Sequence, residues 1–310
     1  MGRKVFKSLD EQIDILKSRG LVITDIEKTK EILLKENYFF INGYRHLFVH
    51  SSKDNNFIAG TTFEELYAMF VFDRKMRNIF FKNLLMIENN IKSLISYQLS
   101  KKYGIKEKDY LNPKNFTKNS IKSRQVHDVL NKVKRQIRVN CKQHSATIHY
   151  ITNYGYIPLW ILVKVLSFGI MAELYGILTE EDQMEIASFY NLDVESLTIY
   201  LSILSNYRNL CAHEDILYDH RTQKSIPDSK YHYKINRDMI DDEYVYGKND
   251  LYSVVIIFKQ MLSEDEFKEF INEIGYEIDI LEGKTNVLPI NNFLNKIGFP
   301  ENWRDIINID

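Results

Sequence analysis

The sequence predicts a mostly α-helical protein. Hydrophobic residues make up 45% of the 310 positions, which is enough to build a substantial core. Only 12 glycines and 5 prolines are present, and this scarcity argues against a loop-rich, all-β or disordered chain. Apolar residues also recur at the three- and four-residue spacing of an amphipathic helix along much of the sequence.

The N-terminal segment, residues 1–60, is predicted to contain two helices and an aromatic stretch. Thr24 and Glu27 have the spacing of a capping box, which predicts the start of the second helix. Residues 37–49 follow and are dense in aromatic side chains.

A long helix is predicted to start at Thr62 and to run to about residue 100. Thr62 and Glu65 form another capping-box pattern. The apolar positions that continue the helical spacing are Leu66, Phe70, Ile79, Leu84, Ile87, Ile91 and Ile95. This helix opens a predicted helical core, residues 61–224.

The rest of the chain is also predicted to be largely helical. An apolar run at residues 158–178 predicts a helix that is buried on most sides, and residues 188–213 supply one or two more. Residues 225–310 are predicted to form an α-rich C-terminal region. Its expected elements are loops at 218–248, in which a short strand is allowed, and helices at 251–261 and 264–274.

The charges are distributed unevenly, although the net charge is only −1. Residues 1–224 contain 32 Lys and Arg against 25 Asp and Glu, a net of +7, whereas residues 225–310 contain 9 against 17, a net of −8. Within an insertion at residues 111–145, nine cations stand against the single anion Asp128. The helical core can therefore bind a polyanion while the C-terminal region stays acidic.

Several common kinds of site are not supported by the sequence. It contains no GxGxxG, HExxH, GxSxG or paired CxxC pattern, so we expect no bound cofactor and no metal. Cys141, His144 and His149 have a roughly zinc-like spacing but lack a clear fourth ligand. We also expect a cytoplasmic protein without membrane contact, since the start lacks a secretory apolar run and the longest apolar stretch is too short to span a bilayer.

Arginine and histidine four to six residues apart near a helix end can cleave RNA. The guanidinium holds and stabilises a phosphate, and the imidazole moves a proton near neutral pH. Three such pairs occur: Arg45 with His50, Arg138 with His144, and Arg208 with His213. Only Arg208/His213 follows an apolar helix and has a polar neighbour, Asn209, four residues before the histidine on the same helical face. The alternative is that His213 satisfies helix-terminal carbonyls and that Arg208 pairs with Glu214 or Asp215.

The segment RNLCAHEDILYDHR resembles the R-N-x-x-A-H segment of the HEPN superfamily, and more narrowly that of the AbiD/AbiF-like abortive-infection proteins of bacteria. Other segments agree in the same order: NYFFINGYRHLF, ELYAMFVFDRKMRNIF, LLMIENNIKSLISYQL and PLWILVKVLSFGIMAELY. The resemblance extends from about Ser8 to Arg221.

This resemblance implies a HEPN-type helical bundle, a metal-independent endoribonuclease activity and a role as a toxin in defence against phage. Arg208 and His213 match the catalytic pair, and Asn209 matches its polar helper. The resemblance also implies restraint by a partner, which in some relatives is a small structured RNA that acts as antitoxin. We further expect a homodimer, because a second copy can complete a site that one copy presents only loosely.

Other residues have two interpretations each. The best candidates for RNA-backbone contacts are Lys132, Lys134, Arg135, Arg138 and Lys142, although charge runs are usually solvated faces. Arg74 and Arg77, with Asp73, match the family's FDRxxR segment and are either further RNA contacts or an exposed helical charge cluster. Glu88 either faces the active-site cleft or pairs with Lys92.

Two other classes of function stay open on the sequence alone. The first is a non-catalytic RNA-binding scaffold, which would be indifferent to replacement of Arg208 or His213. The second is a nucleotidyl or protein-interaction module without RNA affinity, which would be indifferent to neutralisation of the basic insertion.

Overall fold

The computed structural model describes residues 5–51, 55–140, 143–235, 239–240 and 243–309, and it confirms the predicted mostly α-helical class. The helices of the first half are α1 (Leu9–Ser18), α2 (Ile26–Glu36), α3 (Tyr38–Asn42), α4 (Phe63–Tyr103), α5 (Glu107–Tyr110), α6 (Ser123–Asn140) and α7 (Ser145–Tyr154). Those of the second half are α8 (Leu159–Leu162), α9 (Phe168–Gly176), α10 (Glu180–Ser188), α11 (Val194–Ala212), α12 (Lys230–Ile235), α13 (Leu251–Met261), α14 (Glu264–Glu282) and α15 (Ile290–Lys296). Two-residue strands β1 (Met239–Ile240) and β2 (Glu243–Tyr244) form an antiparallel ladder.

Helix α4 is the central element of the fold. It has 41 residues and is therefore about 60 Å long at 1.5 Å per residue. Its start is the predicted capping box, in which the hydroxyl of Thr62 accepts the N–H of Glu65 and the Glu65 carboxylate accepts the N–H of Thr62. Helices α3, α8, α9, α10, α11 and α14 all pack against it. Side chains from every part of the described chain share one hydrophobic core around this helix.

Two of the errors in the predicted helix boundaries have a local cause. Asp25, rather than Thr24, caps α2 by accepting the N–H of Lys28 at 2.9 Å, while the Thr24 hydroxyl donates to Glu64 at 2.9 Å. The predicted helix at 158–178 is divided into α8, a short 3₁₀ turn and α9, because Ser167 caps α9 and so starts a new helix.

Helix α11 lies antiparallel to α4 along its core-facing side. Arg208 of α11 contacts Glu88 of α4, whereas the carbonyl of Asp215, further along the chain, contacts Arg77, which lies earlier on α4. The C-terminal end of α11 therefore meets the first half of α4. This packing determines where residues 208–215 lie.

The acidic C-terminal region packs on α4 through helix α14. Lys75 pairs with Glu277 of α14 at 2.9 Å, and Lys82 pairs with Glu269 and Glu273 at 3.0 and 2.7 Å. The predicted boundaries at residues 60 and 224 stay predictions. No helix within the described ranges is long and apolar enough to cross a lipid bilayer.

Candidate active site at the end of helix α11

The last two turns of α11 carry Arg208, Asn209 and His213 on its outer side. The inner side is fixed by side chains buried in the core: Leu204, Tyr207, Leu210 and Cys211. With that side buried, Asn209 and His213 are exposed to solvent and Arg208 is partly exposed. The structure thus places the three predicted catalytic residues together at one surface.

Arg208 is held in place by Glu88 of α4. Its Nε atom donates to Oε2 of Glu88 at 3.1 Å, and its guanidinium carbon lies 5.8 Å from the ring centre of Phe81. The side chain of Arg208 is 27% exposed, and its terminal nitrogens make no hydrogen bond to any described residue. Arg208 therefore presents two uncommitted NH₂ groups, the geometry that suits bidentate phosphate binding.

Glu88 is shared between two cations. Its other oxygen, Oε1, accepts from Nζ of Lys92 at 2.7 Å, so the predicted i,i+4 pair is present together with the contact to Arg208. The Glu88 side chain is only 4% exposed. One carboxylate between two cations leaves a net positive charge at this position, which favours an anionic ligand.

His213 is the C-cap residue of α11. Its N–H donates to the carbonyl of Asn209 at 3.1 Å, and its imidazole is exposed. The N–H groups of Glu214 and Asp215 then donate to Cys211 and Leu210 in the pattern of a Schellman motif. Glu214 occupies the position that favours glycine, at φ 56°, which costs about 1 kcal/mol for an L side chain. The turn that ends the helix at His213 is therefore strained, as is frequent at functional sites.

The chain after His213 is anchored in the core by Asp73. The Asp73 carboxylate accepts from the N–H groups of Leu217 and Tyr218 at 3.1 and 2.9 Å and from the hydroxyl of Tyr44 at 2.7 Å. Asp73 also forms a buried ion pair with Arg77, which donates to the carbonyl of Asp215 at 3.2 Å. This network fixes the turn that carries His213.

The position of Arg77 corrects its prediction as an RNA contact. Its side chain is 3% exposed, and its charge is neutralised by Asp73. A buried polar group needs hydrogen-bond partners inside the protein. Arg77 has them in Asp73, Tyr44 and the carbonyl of Asp215. The FDRxxR segment therefore has a structural role at Asp73 and Arg77.

A comparison with protein-family models places these residues in a known family. A model described as Abi-like protein matches residues 31–219, which is more than half of the chain. The chain belongs to the Abi-like protein family. The match spans α3 to α11 together with the Asp73 anchor, and it makes the chain an abortive-infection protein. Neither the curated proteins nor the solved structures yielded a match.

Cys211 of this Abi-like protein is a core residue. It is buried behind α11, and burial raises the pKa of its thiol to about 12. The thiol is therefore protonated at neutral pH and is a poor nucleophile. No three His, Cys, Asp or Glu side chains come together as metal ligands in the part of the chain that the structure describes, and Cys141 lies outside that part.

The basic insertion of the Abi-like protein forms α6, which is amphipathic. Its apolar side is buried and its basic side faces solvent, with Lys134, Arg135 and Arg138 exposed. Lys132 is paired with Glu173 of α9 at 2.7 Å, and Lys142 lies outside the described residues. Lys134 borders two surface grooves of about 290 and 600 Å³.

This basic face and Arg208 are carried by different helices. Helix α6 packs on α9, and α9 packs in turn on α11. Arg74 forms a bidentate ion pair with Glu36 at 3.0 and 2.6 Å and lies over the ring of Phe70. It borders a pocket that is also lined by Glu214 and Asp215, directly after His213. The predicted RNA contacts of the Abi-like protein therefore lie on different helices, and a role for those that are exposed or partly exposed stays a prediction.

Sequence reasoning missed one feature beside Arg208. Lys92 borders a polar pocket of about 480 Å³ that also contains His144 of the basic insertion and Trp160 of α8. Lys92 is more than fifty positions from His144 and Trp160 in sequence, and the packing of α8 on α4 brings them together. The only sequence pattern that pointed to this pocket was the i,i+4 spacing of Glu88 and Lys92.

Proposed function

We propose that this abortive-infection protein is an endoribonuclease of the HEPN type, in which Arg208 and His213 cleave RNA without a metal ion. The observation that carries the proposal is the arrangement of these two side chains. Arg208 is oriented by Glu88 with its terminal nitrogens uncommitted, and the exposed imidazole of His213 follows at the end of the same helix.

The chemistry that suits this pair is transesterification within the RNA. The ribose 2′-oxygen attacks the adjacent phosphorus, a bond forms between them, and the bond from phosphorus to the 5′-oxygen breaks. The proton leaves the 2′-hydroxyl and is returned to the 5′-oxygen, and His213 is the group that transfers it. Arg208 stabilises the negative charge that develops on the phosphoryl oxygens. The products are a 2′,3′-cyclic phosphate and a 5′-hydroxyl end.

A second copy of the chain is part of the proposal. His213 lies five positions after Arg208, which corresponds to about 140° around a helix at 100° per residue. The outward side of α11 between them carries small residues, Ser202, Ser205 and Ala212, with Asn209. Small side chains let two helices approach closely. A homodimer through this face would place the Arg208 and His213 of two copies around one phosphate, with Asn209 positioning the imidazole or the phosphate.

We also propose that the protein binds an RNA that it does not cleave. The exposed cations of α6 suit the phosphate backbone, and their separation from α11 allows them to hold RNA that is not being cut. A small structured RNA on this face would restrain the toxin. The same separation favours the second candidate function, a non-catalytic RNA-binding scaffold.

The proposal is tested in cells that express the wild-type protein, His213→Ala or Arg208→Ala under an inducible promoter. Growth and the sequence positions of new 5′-hydroxyl RNA ends are measured after induction. Wild type should arrest growth and generate such ends, and both variants should do neither at equal protein levels. RNA that co-purifies with His213→Ala identifies the partner: a single small species indicates the restraining RNA, and a heterogeneous population indicates substrate. Equal growth arrest by all three proteins would contradict the cleavage assignment.

A further inference from the structure

A pocket of about 480 Å³ that is open to solvent lies beside Lys92, the partner of Glu88, and its volume is within the size range of small-molecule sites. Helix α4 forms one wall of the pocket, and the start of α7 and the α8 segment form the other. Its polar and aromatic lining consists of Asn89, Lys92, Ser93, Ser96, His144, Trp160 and Lys164. We propose that it binds one unpaired nucleotide of an RNA strand, with the base on Trp160 and the phosphate on Lys92 and Lys164. This inference rests on the proposed function and identifies where the substrate strand lies.

Trp160 supplies the surface for the base. Its side chain is 42% exposed, which is unusual for so large an apolar ring, whereas the other tryptophan, Trp303, is buried. An indole face accepts any base by stacking, and this contact is the usual way in which proteins hold unpaired nucleotides.

Lys92 and Lys164 supply positive charge for the phosphate. Lys92 is held by Glu88 and is largely buried, so its position is fixed. Lys164 is exposed and has no ion-pair or hydrogen-bond partner among the residues that the structure describes. The described lining of the pocket contains no carboxylate, so nothing within it repels an anion.

Polar groups in the same pocket can read the edge of a base or a ribose. Asn89 and Ser93 are exposed on α4, and Nδ1 of His144 is buried without a hydrogen-bond partner among the described residues. In ligand pockets, a few polar groups of this kind fix the orientation of the bound ligand.

The position of the pocket connects it to the proposed cleavage site. Lys92 and Arg208 bind the two oxygens of one carboxylate, Glu88. A strand whose phosphate lies on Arg208 therefore has its neighbouring nucleotide within reach of Lys92. The pocket requires this nucleotide to be unpaired, because a base in a duplex has no free face for Trp160.

The test uses tryptophan fluorescence and a probe that cannot be cut. Full-length protein is titrated with a seven-nucleotide 2′-O-methyl RNA, as a single strand and as a duplex. The single strand should quench the emission of the wild-type protein, and the duplex should not. Trp160→Ala should abolish the quenching and weaken binding of the single strand, measured by anisotropy, roughly 10-fold. Lys164→Ala should weaken binding about 3-fold and reduce its salt dependence.

Two matched controls remove comparable groups elsewhere. Tyr276→Ala deletes a ring on α14 that is 65% exposed, and Lys268→Ala deletes a lysine on the same helix whose side chain is 45% exposed. Both should bind the probe as wild type does. Lys92 is left intact, because its loss would also disturb Glu88 and Arg208.

The outcomes separate the pocket from the proposed function. Where wild type cleaves RNA, Trp160→Ala should raise KM and leave kcat close to that of wild type. If wild type does not cleave RNA, the proposed function fails, and quenching by the uncleavable probe still supports the pocket. Unchanged wild-type emission, or equal binding by Trp160→Ala and Tyr276→Ala, would overturn the inference. If Trp160→Ala lost a dimer and kept wild-type RNA binding, Trp160 would contact a second copy of the chain, and the nucleotide pocket would be overturned.

Discussion

Glu88 accepts the Nε–H of Arg208 at 3.1 Å, and this contact joins α4 and α11 at the proposed catalytic arginine. The Glu88 carboxylate binds the Nε atom of Arg208 and leaves the two terminal NH₂ groups free to bind a ligand. Because its other oxygen is bound by Lys92, the Glu88 carboxylate is held on two sides. Arg208 is thus preorganised before any phosphate arrives.

Replacement of Glu88 should impair cleavage more than folding. Glu88→Gln keeps the shape and one acceptor but loses the charge that orients Arg208, and we expect kcat to fall about 10-fold or more, because small misplacements of a catalytic group have large effects on rate. Single-turnover cleavage of a labelled RNA measures the rate, and circular dichroism measures whether the variant is folded. The matched control is Glu173→Gln, whose carboxylate pairs with exposed Lys132 and which should retain full activity. Wild-type rates in Glu88→Gln would show that this contact has no role in catalysis.

Asp73 should be among the residues on which stability depends most. Asp73→Ala leaves Arg77 as an unpaired buried charge and removes acceptors from two backbone N–H groups, so the free energy of unfolding should fall by about 3–5 kcal/mol. Urea denaturation followed by circular dichroism measures it. Asp279→Ala, which breaks the exposed pair with Arg304, should cost less than about 1 kcal/mol. Similar losses in both variants would contradict the anchoring role of Asp73.

His232 should make the fold less stable in mild acid. It is fully buried, its Nδ1 accepts from the N–H of Ser229, and its Nε2 lies 2.8 Å from the carbonyl of Gly247. Burial lowers the pKa of His232 below its ordinary value of 6.5. The unfolded chain therefore takes up the proton first, and the stability present above pH 6.5 is lost as the pH falls through and below 6.5.

Thermal unfolding between pH 7.5 and 5.5 tests this dependence. His46 and His220 also have pKa values lowered by burial and act in the same direction, so wild type should lose stability across the range. His232→Asn should lose less on acidification than wild type does, although it is less stable at pH 7.5. His127→Asn, at an exposed position on α6, should have the wild-type profile. A wild-type profile in His232→Asn would refute the assignment.

The basic face of α6 should contribute affinity for RNA that depends on salt. The double variant Lys134→Ala, Arg135→Ala removes two exposed cations, and the slope of log affinity against log salt should become shallower by about 0.7 per lost phosphate contact on a single strand. Filter binding at several salt concentrations measures it. The control, Lys101→Ala with Lys268→Ala, removes exposed lysines of α4 and α14 and should keep the wild-type slope. Equal slopes in the two double variants would place the RNA surface elsewhere.

Local signals predicted much of the helical structure. The capping box at Thr62 started α4 correctly, and α13 has its predicted bounds. Helix α14 was predicted to end at residue 274, which is eight residues too early. In the structure the helix continues past Gly275 to Glu282, with Ile278 and Leu281 buried in the core. The guanidinium of Arg304 lies over Gly275 and donates to its carbonyl at 3.4 Å.

The candidate site was predictable only where its residues are neighbours in sequence. Arg208, Asn209 and His213 lie within one stretch of six residues, and their spacing was enough to single them out. The burial of Arg77 depends on a contact with Asp215, 138 residues away, and sequence reasoning therefore treated it as a surface cation. The pocket around Trp160 likewise depends on tertiary packing.

Cleavage of RNA by purified protein in the presence of EDTA tests the central claim most directly. Wild type, His213→Ala and the exposed-histidine control His127→Ala are incubated with a 5′-labelled single-stranded RNA, and the product ends are identified by mass spectrometry. Wild type and His127→Ala should yield 2′,3′-cyclic phosphate ends at the same rate, and His213→Ala should yield none while keeping its wild-type circular dichroism spectrum. Cleavage by His213→Ala at the wild-type rate, or no cleavage by the wild-type protein after its co-purifying RNA has been removed, would contradict the account.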